Sequence, residues 1–225
     1  MSRPQAILFD ALGTLVALEP PTPRLRAELA RRFGIDVSEE QAAEAISAEI
    51  AYYRGHFDEG RDAQTLADLR RRCAETLRAT LPTSLSNVDG AAVTDALLVS
   101  LRFSVYPDVV PTLTRWRSRG ATLVVVSNWD VSLHQVLARV GLAPFLDGIL
   151  TSAEAGARKP SPAIFDRALE MAGAVPEDSM HVGDSLEEDV AGARAAGIDA
   201  VLVLRDGGAP VPGVRTIASL AELDA

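Results

Sequence analysis

An apolar run that ends in an aspartate, AILFDALGT at residues 6–14, carries the strongest structural signal in this sequence. Four apolar residues followed at once by Asp10 are typical of a buried parallel strand that ends at a polar loop. Similar apolar runs, each bounded by turn residues, recur at 122–126, 148–151, 179–182 and 200–204. Helical patterns alternate with them, at 109–119, 132–140, 162–172 and 186–196. This alternation predicts an α/β fold built on a doubly wound parallel sheet.

Residues 16–104 break this rhythm, because they contain several helical patterns and no convincing strand. The helical patterns lie at 23–33, 39–54, 63–81 and 91–102. A crossover between parallel strands needs only about a dozen residues, so an interval this long is expected to fold as a unit of its own. We therefore expect an α/β core domain from residues 1–15 and 105–225. A helical domain from residues 16–104 is expected above the carboxyl ends of the strands.

The overall composition excludes several classes of function. The chain has 225 residues, of which 48% are hydrophobic and 24% are charged, so it is long enough and apolar enough to bury a core. Its net charge of −9 argues against a nucleic-acid partner, because such partners are bound largely by clustered Lys and Arg. No uncharged apolar run reaches about 18 residues, so no membrane span is expected. The oligomeric state is not indicated.

Cysteine usage and the first residues of the sequence bear on the compartment. Cys73 is the single cysteine, which excludes an intramolecular disulfide and a multi-cysteine metal site. Asp10 interrupts the first apolar run, and no pattern of a secretion signal is evident. A cytoplasmic location is the expectation that follows.

Polar residues follow the predicted strands at the edge where an open parallel sheet binds its ligands. Asp10 follows the first strand, and Ser127-Asn128 follows the second. Lys159 comes after the third strand, at the approach to a helix, and Asp184 follows the fourth. Four separated segments are therefore expected to converge on one cleft.

These residue types suit transfer of a phosphoryl group or attack on an electrophilic carbon. A carboxylate such as Asp10 is able to act as a nucleophile and form a covalent intermediate that water hydrolyses. Asp184 and Asp189 are oxygen donors of the kind that Mg²⁺ prefers. Three further groups are suited to hold and neutralise the transferring group, namely Ser127, Asn128 and Lys159.

Lys159 is also singled out by composition. It is the only lysine among the 22 basic residues of the sequence, and all the others are arginine. A compact ammonium group kept at this one position indicates that the planar fork of arginine does not serve there.

The four segments resemble, in order, the four motifs of the haloacid dehalogenase-like (HAD) hydrolase superfamily, in its helical-cap (C1-type) subgroup. The resemblance implies a Rossmann-like core with a cap inserted after the first motif. It also implies that Asp10 is the nucleophile, Ser127 the phosphate-binding hydroxyl and Lys159 the charge clamp. Asp184 and Asp189 would be the acidic metal pair, and the stretch around them is similar to the motif of Mg²⁺-using phosphatases. Four motifs in order, each after a strand, are a far more specific signal than any one of them.

Leu12 is the main departure from the family pattern. Phosphatases of the superfamily carry a second Asp two residues after the nucleophile, which protonates the leaving alcohol and then activates water. Loss of a general acid typically costs about 10² to 10⁴ in rate. The resemblance implies that the Leu12 position contributes only its backbone carbonyl to the metal, together with the Asp10 carboxylate, so metal binding is less affected.

Three functions therefore stay open at this stage. The first is a Mg²⁺-dependent phosphatase that acts on a small phosphorylated anion, which the acidic fourth motif favours. The second is a metal-independent 2-haloacid dehalogenase, since dehalogenases of the family also lack the second Asp and halide leaves without protonation. The third is a HAD-like protein that binds a ligand with little turnover. We rank them in this order. The sequence of the predicted cap helices does not indicate which substrate is bound.

Overall fold

The structure is a computed structural model that describes residues 4–81, 85 and 87–224. The first three residues of the predicted core, residues 82–84 and 86 of the predicted cap, and residue 225 lie outside this description. The described residues form two compact units. One unit contains the chain up to Ala17 and from Ser104 onward, and the other consists of Leu18–Phe103.

A six-stranded parallel sheet forms the centre of the first unit. The strands of the described residues are β1 Ala6–Phe9, β2 Val16–Leu18, β3 Phe103–Val105, β4 Thr122–Ser127, β5 Gly148–Thr151, β6 Ser179–Gly183, β7 Asp199–Val203 and β8 Arg215–Ile217. The order in the six-stranded sheet is β5-β4-β1-β6-β7-β8, so the first strand of the chain lies in the interior of the sheet. A separate two-stranded sheet joins β2 to β3. The predicted α/β fold is confirmed.

Helices flank this sheet and form most of the second unit. The α-helices are α1 Pro21–Phe33, α2 Glu39–His56, α3 Ala63–Thr80, α4 Gly90–Ser100, α5 Val109–Ser118, α6 Leu133–Arg139, α7 Ser152–Ala155, α8 Pro162–Ala172 and α9 Gly192–Ala195. Short 3₁₀-helices occupy Phe57–Glu59, Ala143–Phe145, Pro176–Asp178 and Leu220–Asp224. None of the helices in the described ranges is both long and apolar enough to cross a membrane.

The core of the first unit explains the continuous apolar strands. All four residues of β1 are fully buried, as expected for a strand covered by helices on both faces. Leu8, Val124 and Val126 pack in one cluster with Ile164 and Phe165 of α8. The short apolar runs in the sequence are therefore interior strands, and their polar ends mark one edge of the sheet.

The second unit has a core of its own, made by amphipathic helices. Leu25, Leu29, Leu69 and Leu77 of α1 and α3 are fully buried in it. Helices α2 and α3 begin at capping boxes, because the side chains of Ser38 and Asp62 accept hydrogen bonds from backbone amides of the first turn. These start signals stand in the sequence exactly where the helical patterns begin.

Three details of the predicted secondary structure are wrong. Residues 16–104 contain strand residues at both ends, in β2 and β3, and β8 was not predicted. Each of these strands has three residues, which is too short to show the alternation that distinguishes a strand. The predicted single helix at 186–196 is a π-helix over Leu186–Ala191 followed by α9.

Candidate active site

The backbone of Asp10 extends the sheet by one residue beyond β1. Its amide donates a hydrogen bond of 2.9 Å to the carbonyl oxygen of Val182 in β6. Phe9 is in register with Val125 of β4 and with Val182 of β6. The carboxyl ends of the three central strands therefore lie at one level, and the polar residues that follow them meet there.

Two polar side chains hold the carboxylate of Asp10, one from the end of β4 and one from the segment between α7 and α8. The Ser127 hydroxyl donates a hydrogen bond of 2.9 Å to Oδ1, and the Lys159 ammonium lies 2.6 Å from the same oxygen. Both contacts are made to Oδ1 of Asp10. The Asp10 carboxylate is thus held through one of its two oxygens.

Lys159 is buried, with 1% of its surface exposed, and its ammonium contacts a second carboxylate. Its Nζ lies 2.5 Å from Oδ1 of Asp189. Both contacts involve carboxylates that are themselves buried, so one cation lies between two anions out of contact with solvent. The sequence argument for a compact ammonium at this position agrees with this geometry.

Asn128 serves the backbone of Lys159. Its amide nitrogen donates to the Lys159 carbonyl at 3.0 Å, and its amide oxygen accepts from the Lys159 N–H at 2.8 Å. We predicted Asn128 as a substrate-binding residue from its place after β4. The side chain fixes the segment that presents Lys159, and its contact with a substrate stays a prediction.

Asp189 is held in place by three separate donors. Besides Lys159, the ring of His181 lies with Nε2 2.9 Å from Oδ1, and the N–H of Ser185 donates to Oδ2 at 2.9 Å. The π-helix supports this arrangement, because the amides of Asp189 and Val190 both donate to the Ser185 carbonyl. His181 is not among the residues predicted for the site, although a histidine inside a buried strand that ends at the site is a usable signal.

Three carboxylates form a cluster suited to a divalent cation. One oxygen from each of Asp10, Asp184 and Asp189 lies within 4.8 Å of the others. All three are hard oxygen donors, as Mg²⁺ requires, so the donor set fits the predicted metal. Two glycines make room for it: a Cβ on Gly13 would overlap the Asp184 carboxyl group, and a Cβ on Gly183 would overlap that of Asp189.

The crowding of like charges shows in the pKa values of this cluster. Asp184 is exposed as a residue, but neighbouring groups partly desolvate its carboxyl group. This desolvation, together with the charges of Asp10 and Asp189, raises the pKa of Asp184 to about 7. Burial and the nearby Asp189 also raise the pKa of Asp10. Burial acts the same way on Asp189, but Lys159 and the His181 hydrogen bond outweigh it and hold the pKa of Asp189 well below its usual range. A cation bound among these groups would favour their ionised forms.

Leu12 lies on the loop that follows Asp10 and contributes no acidic group. It pairs with Val16 in an isolated bridge, and its side chain is 37% exposed. The position that carries a second Asp in phosphatases of the resembled superfamily is thus apolar and open to solvent.

The sequence as a whole matches a known family. The profile of the haloacid dehalogenase-like hydrolases matches residues 4–197. The chain belongs to this family. The HAD-like fold and hydrolase class predicted from the four motifs are thereby confirmed.

Curated relatives of this HAD-like hydrolase include phosphatases. It is 31% identical to glyceraldehyde 3-phosphate phosphatase of Methanopyrus kandleri over 211 residues, which cover 89% of this chain and 84% of that protein. It is 47% identical to haloacid dehalogenase-like hydrolase domain-containing protein 3 of Bos taurus over 92 residues, or 41% of this chain. That second match spans only 37% of the bovine protein's length.

Solved structures with the same fold include both reaction types of the family. A HAD phosphatase from Thermococcus onnurineus matches with a TM-score of 0.67 and 28% identity, covering 97% of this chain and 95% of that one. A 2-haloacid dehalogenase from Pseudomonas syringae pv. Tomato DC3000 matches with a TM-score of 0.68 and 26% identity, covering 98% and 96%. Overall fold therefore does not separate the two chemistries, and the site has to decide between them.

Proposed function

We propose that this HAD-like hydrolase is a Mg²⁺-dependent phosphatase with Asp10 as its covalent nucleophile. The observation that carries the proposal is the cluster of Asp10, Asp184 and Asp189 around one buried lysine. Halide displacement by a metal-independent site does not require a carboxylate at position 184 in addition to Asp10 and Asp189. The similarity to a glyceraldehyde 3-phosphate phosphatase over most of both chains supports the same choice.

The reaction begins with attack of Asp10 Oδ2 on the phosphorus of the substrate. The bond from phosphorus to the leaving oxygen breaks, and its electron pair goes to that oxygen. Ser127 and Lys159 bind Oδ1 and so keep the other oxygen of the Asp10 carboxylate directed at the phosphorus during the attack. Water then cleaves the aspartyl phosphate, which releases phosphate and restores the Asp10 carboxylate.

The charges of the site require a cation before an anion can bind. Three carboxylates face one ammonium group, so the site is negative when all are ionised. In this proposal Mg²⁺ is held by Asp10, Asp184 and the backbone carbonyl of Leu12, with Asp189 as a further candidate ligand. When bound, it supplies positive charge to the phosphoryl oxygens. Asp189 and His181 orient Lys159, which adds a second positive charge.

Leu12 limits the substrates that such a site turns over quickly. Because Leu12 has no proton to give, the leaving oxygen must depart as an anion or take its proton from solvent. Aryl and acyl phosphates have leaving groups stable enough for this, whereas simple alkyl phosphates do not. We expect the preference between these classes to approach the factor of about 10² to 10⁴ that a general acid contributes.

The first experiment measures phosphate release from an aryl and an alkyl phosphate, with Mg²⁺ and with EDTA. The variants are wild type, Leu12→Asp, and Asp10→Asn as the blank. We expect the wild type to act on the aryl phosphate only with Mg²⁺, and Leu12→Asp to gain most on the alkyl phosphate. Asp10→Asn in either background should abolish the activity.

Two results would contradict these expectations. An absence of phosphate release in folded wild type and folded Leu12→Asp alike would overturn the phosphatase proposal. Wild-type turnover of alkyl phosphates as fast as of aryl phosphates would overturn the leaving-group preference, because it would show that position 12 does not limit protonation.

The second candidate function is a 2-haloacid dehalogenase. It is favoured by the apolar residue at position 12 and by the structural similarity to a 2-haloacid dehalogenase. It predicts halide release from 2-haloacids that persists in EDTA and is unchanged in Asp184→Asn. Loss of halide release in both conditions, or its absence in the wild type, excludes this candidate.

A further inference from the structure

We propose that Arg205, far from the four motifs in sequence, is a positioning residue that holds the nucleophile loop, residues 10–16, in its working shape. The inference rests on the proposed function for its catalytic consequence, but its structural part stands separately. Arg205 lies two residues beyond β7, in a polar segment that no motif includes.

The guanidinium of Arg205 binds two successive carbonyl groups of the nucleophile loop. Its Nε donates to the Gly13 carbonyl at 3.2 Å, and its Nη2 donates to the Thr14 carbonyl. Both acceptors lie within four residues of Asp10. These two hydrogen bonds fix the orientation of the peptide planes on the far side of the loop.

The opposite side of the same guanidinium is anchored in the core of the unit. Its Nη1 donates to both carboxyl oxygens of Asp108 at 3.1 Å, and its plane lies over the Tyr106 ring, 3.7 Å from the centroid. Asp108 in turn accepts from the Ser219 hydroxyl and the Leu220 amide, at 2.7 Å each. Every nitrogen of the guanidinium is thus occupied, which a lysine ammonium at the same place cannot reproduce.

The loop that Arg205 holds has little freedom to move without disturbing the acidic cluster. Gly13 packs so closely on the Asp184 carboxyl group that a Cβ there would overlap it. The loop's own hydrogen bonds are few: the Gly13 amide donates to Val16, and the amides of Leu15 and Val16 donate to Ala11. Loss of the two bonds from Arg205 would therefore displace Gly13 relative to Asp184, and Leu12 with it.

The size of the expected effect follows from how supporting residues act in other enzymes. Residues that orient the groups of a site typically change activity or metal affinity by about 10- to 100-fold when they are removed. For Arg205→Gln we expect kcat to fall by about that factor with KM unchanged, because Arg205 does not contact substrate in this assignment. Arg205→Lys should not restore kcat, since one ammonium cannot serve two carbonyls and a carboxylate.

The experiment compares Arg205→Gln and Arg205→Lys with Arg215→Gln in the full chain. Arg215 is the matched control, because its Nη2 donates to the Leu223 carbonyl and so fastens the same C-terminal segment that Asp108 binds, without touching the loop. The readouts are kcat and KM for aryl phosphate, the affinity for Mg²⁺ by calorimetry, and hydrogen exchange of the peptide that contains residues 11–16. Thermal unfolding identifies variants that fail to fold.

We expect faster exchange at residues 11–16, weaker Mg²⁺ binding and lower kcat in both Arg205 variants, and wild-type values in Arg215→Gln. Wild-type exchange at residues 11–16 in folded Arg205→Gln overturns the proposal. So does an equal change in Arg215→Gln, which would place the effect in the C-terminal segment. If the wild type releases no phosphate, the proposed function fails, while the exchange measurement still decides the role of Arg205.

Discussion

At the level of single residues, the contact between Gly13 and Asp184 shows why glycine is required at position 13. Gly13 has a φ of +82°, a conformation in which glycine is favoured, and its missing side chain leaves the space that the Asp184 carboxyl group fills. Backbone conformation and contact therefore both select glycine, and the two effects can be separated by experiment.

Gly13→Ala should impair Mg²⁺ binding, and Gly120→Ala should not. Gly120 has nearly the same φ, +83°, but an added Cβ there meets nothing within 4 Å. Both variants bear the cost of a side chain at positive φ, about 1 to 2 kcal/mol, whereas only Gly13→Ala displaces Asp184. We expect an additional loss of about tenfold or more in Mg²⁺ affinity for Gly13→Ala alone. Equal affinities in the two variants, measured by calorimetry, would contradict the contact.

The residues proposed to carry the chemistry are easier to find in the sequence than those that hold them. Asp10, Ser127 and Asp184 follow apolar runs within recognisable motifs, and Lys159 is the only lysine. Arg205 also follows an apolar run, at 200–204, but it is one of 21 arginines and belongs to none of the four motifs, and only the fold brings it to the loop after Asp10. Supporting contacts of this kind depend on long-range geometry, which spacing along the chain does not encode.

At the scale of elements, helix α2 carries an acidic residue where an apolar one is expected. Glu49 is buried with 4% of its surface exposed, and the Cys73 thiol of α3 hydrogen-bonds its carboxyl group. Burial raises the pKa of Glu49 from 4.5 to about 7. A thiol is a weak donor, so it offsets little of the cost of an ionised group at this place.

The stability of the protein should therefore fall as the pH rises from about 4.5 to about 7, the interval between the ordinary and the folded-state pKa of Glu49. Since the folded-state pKa is the higher one, the favourable contribution of protonated Glu49 is present below about pH 4.5 and is lost as the pH rises through about 7. The full change is about 3 kcal/mol, from about 1.36 kcal/mol per pKa unit. Denaturant unfolding from pH 5 to 8 should show it in the wild type.

Two variants isolate this effect. Glu49→Gln should flatten the pH dependence, while Glu44→Gln, which changes an exposed residue of the same helix, should leave it as in the wild type. A pH dependence that survives unchanged in Glu49→Gln would assign it to other groups.

Elements differed in how well the sequence predicted them. Helix α8 matches its predicted range exactly, since a proline begins it and a glycine ends it. The π-helix was not predicted because its wider turn depends on the hydrogen bond between the Ser185 amide and the Asp189 carboxylate. No local pattern separates it from an ordinary helix.

At the scale of the whole molecule, two hydrophobic clusters of the described residues share no residue. The cluster around Leu69 lies entirely within Leu18–Phe103, and the cluster around Leu8 lies entirely in the other unit. Each unit therefore has its own source of stability, and a mutation in one core should act mainly on that unit.

Leu69→Ala should destabilise Leu18–Phe103 by about 2 to 5 kcal/mol, the usual cost of such a truncation in a core. Native-state hydrogen exchange should report this loss in α2 and α3 and leave β1 and β4 protected as before. Val99→Ala is the control, because Val99 is 39% exposed in the same unit. An equal loss of protection in β1 would show that the two units unfold as one.

The buried ion pairs of Lys159 have a practical consequence for chemical labelling. Because Lys159 is the only lysine in the sequence and its ammonium is enclosed by two carboxylates, an acylating reagent directed at amines finds no accessible side chain on the folded protein. Such a reagent should attach a dye or crosslinker to the α-amino group alone. Acylation of Lys159 would then report opening of this site or unfolding of the chain around it.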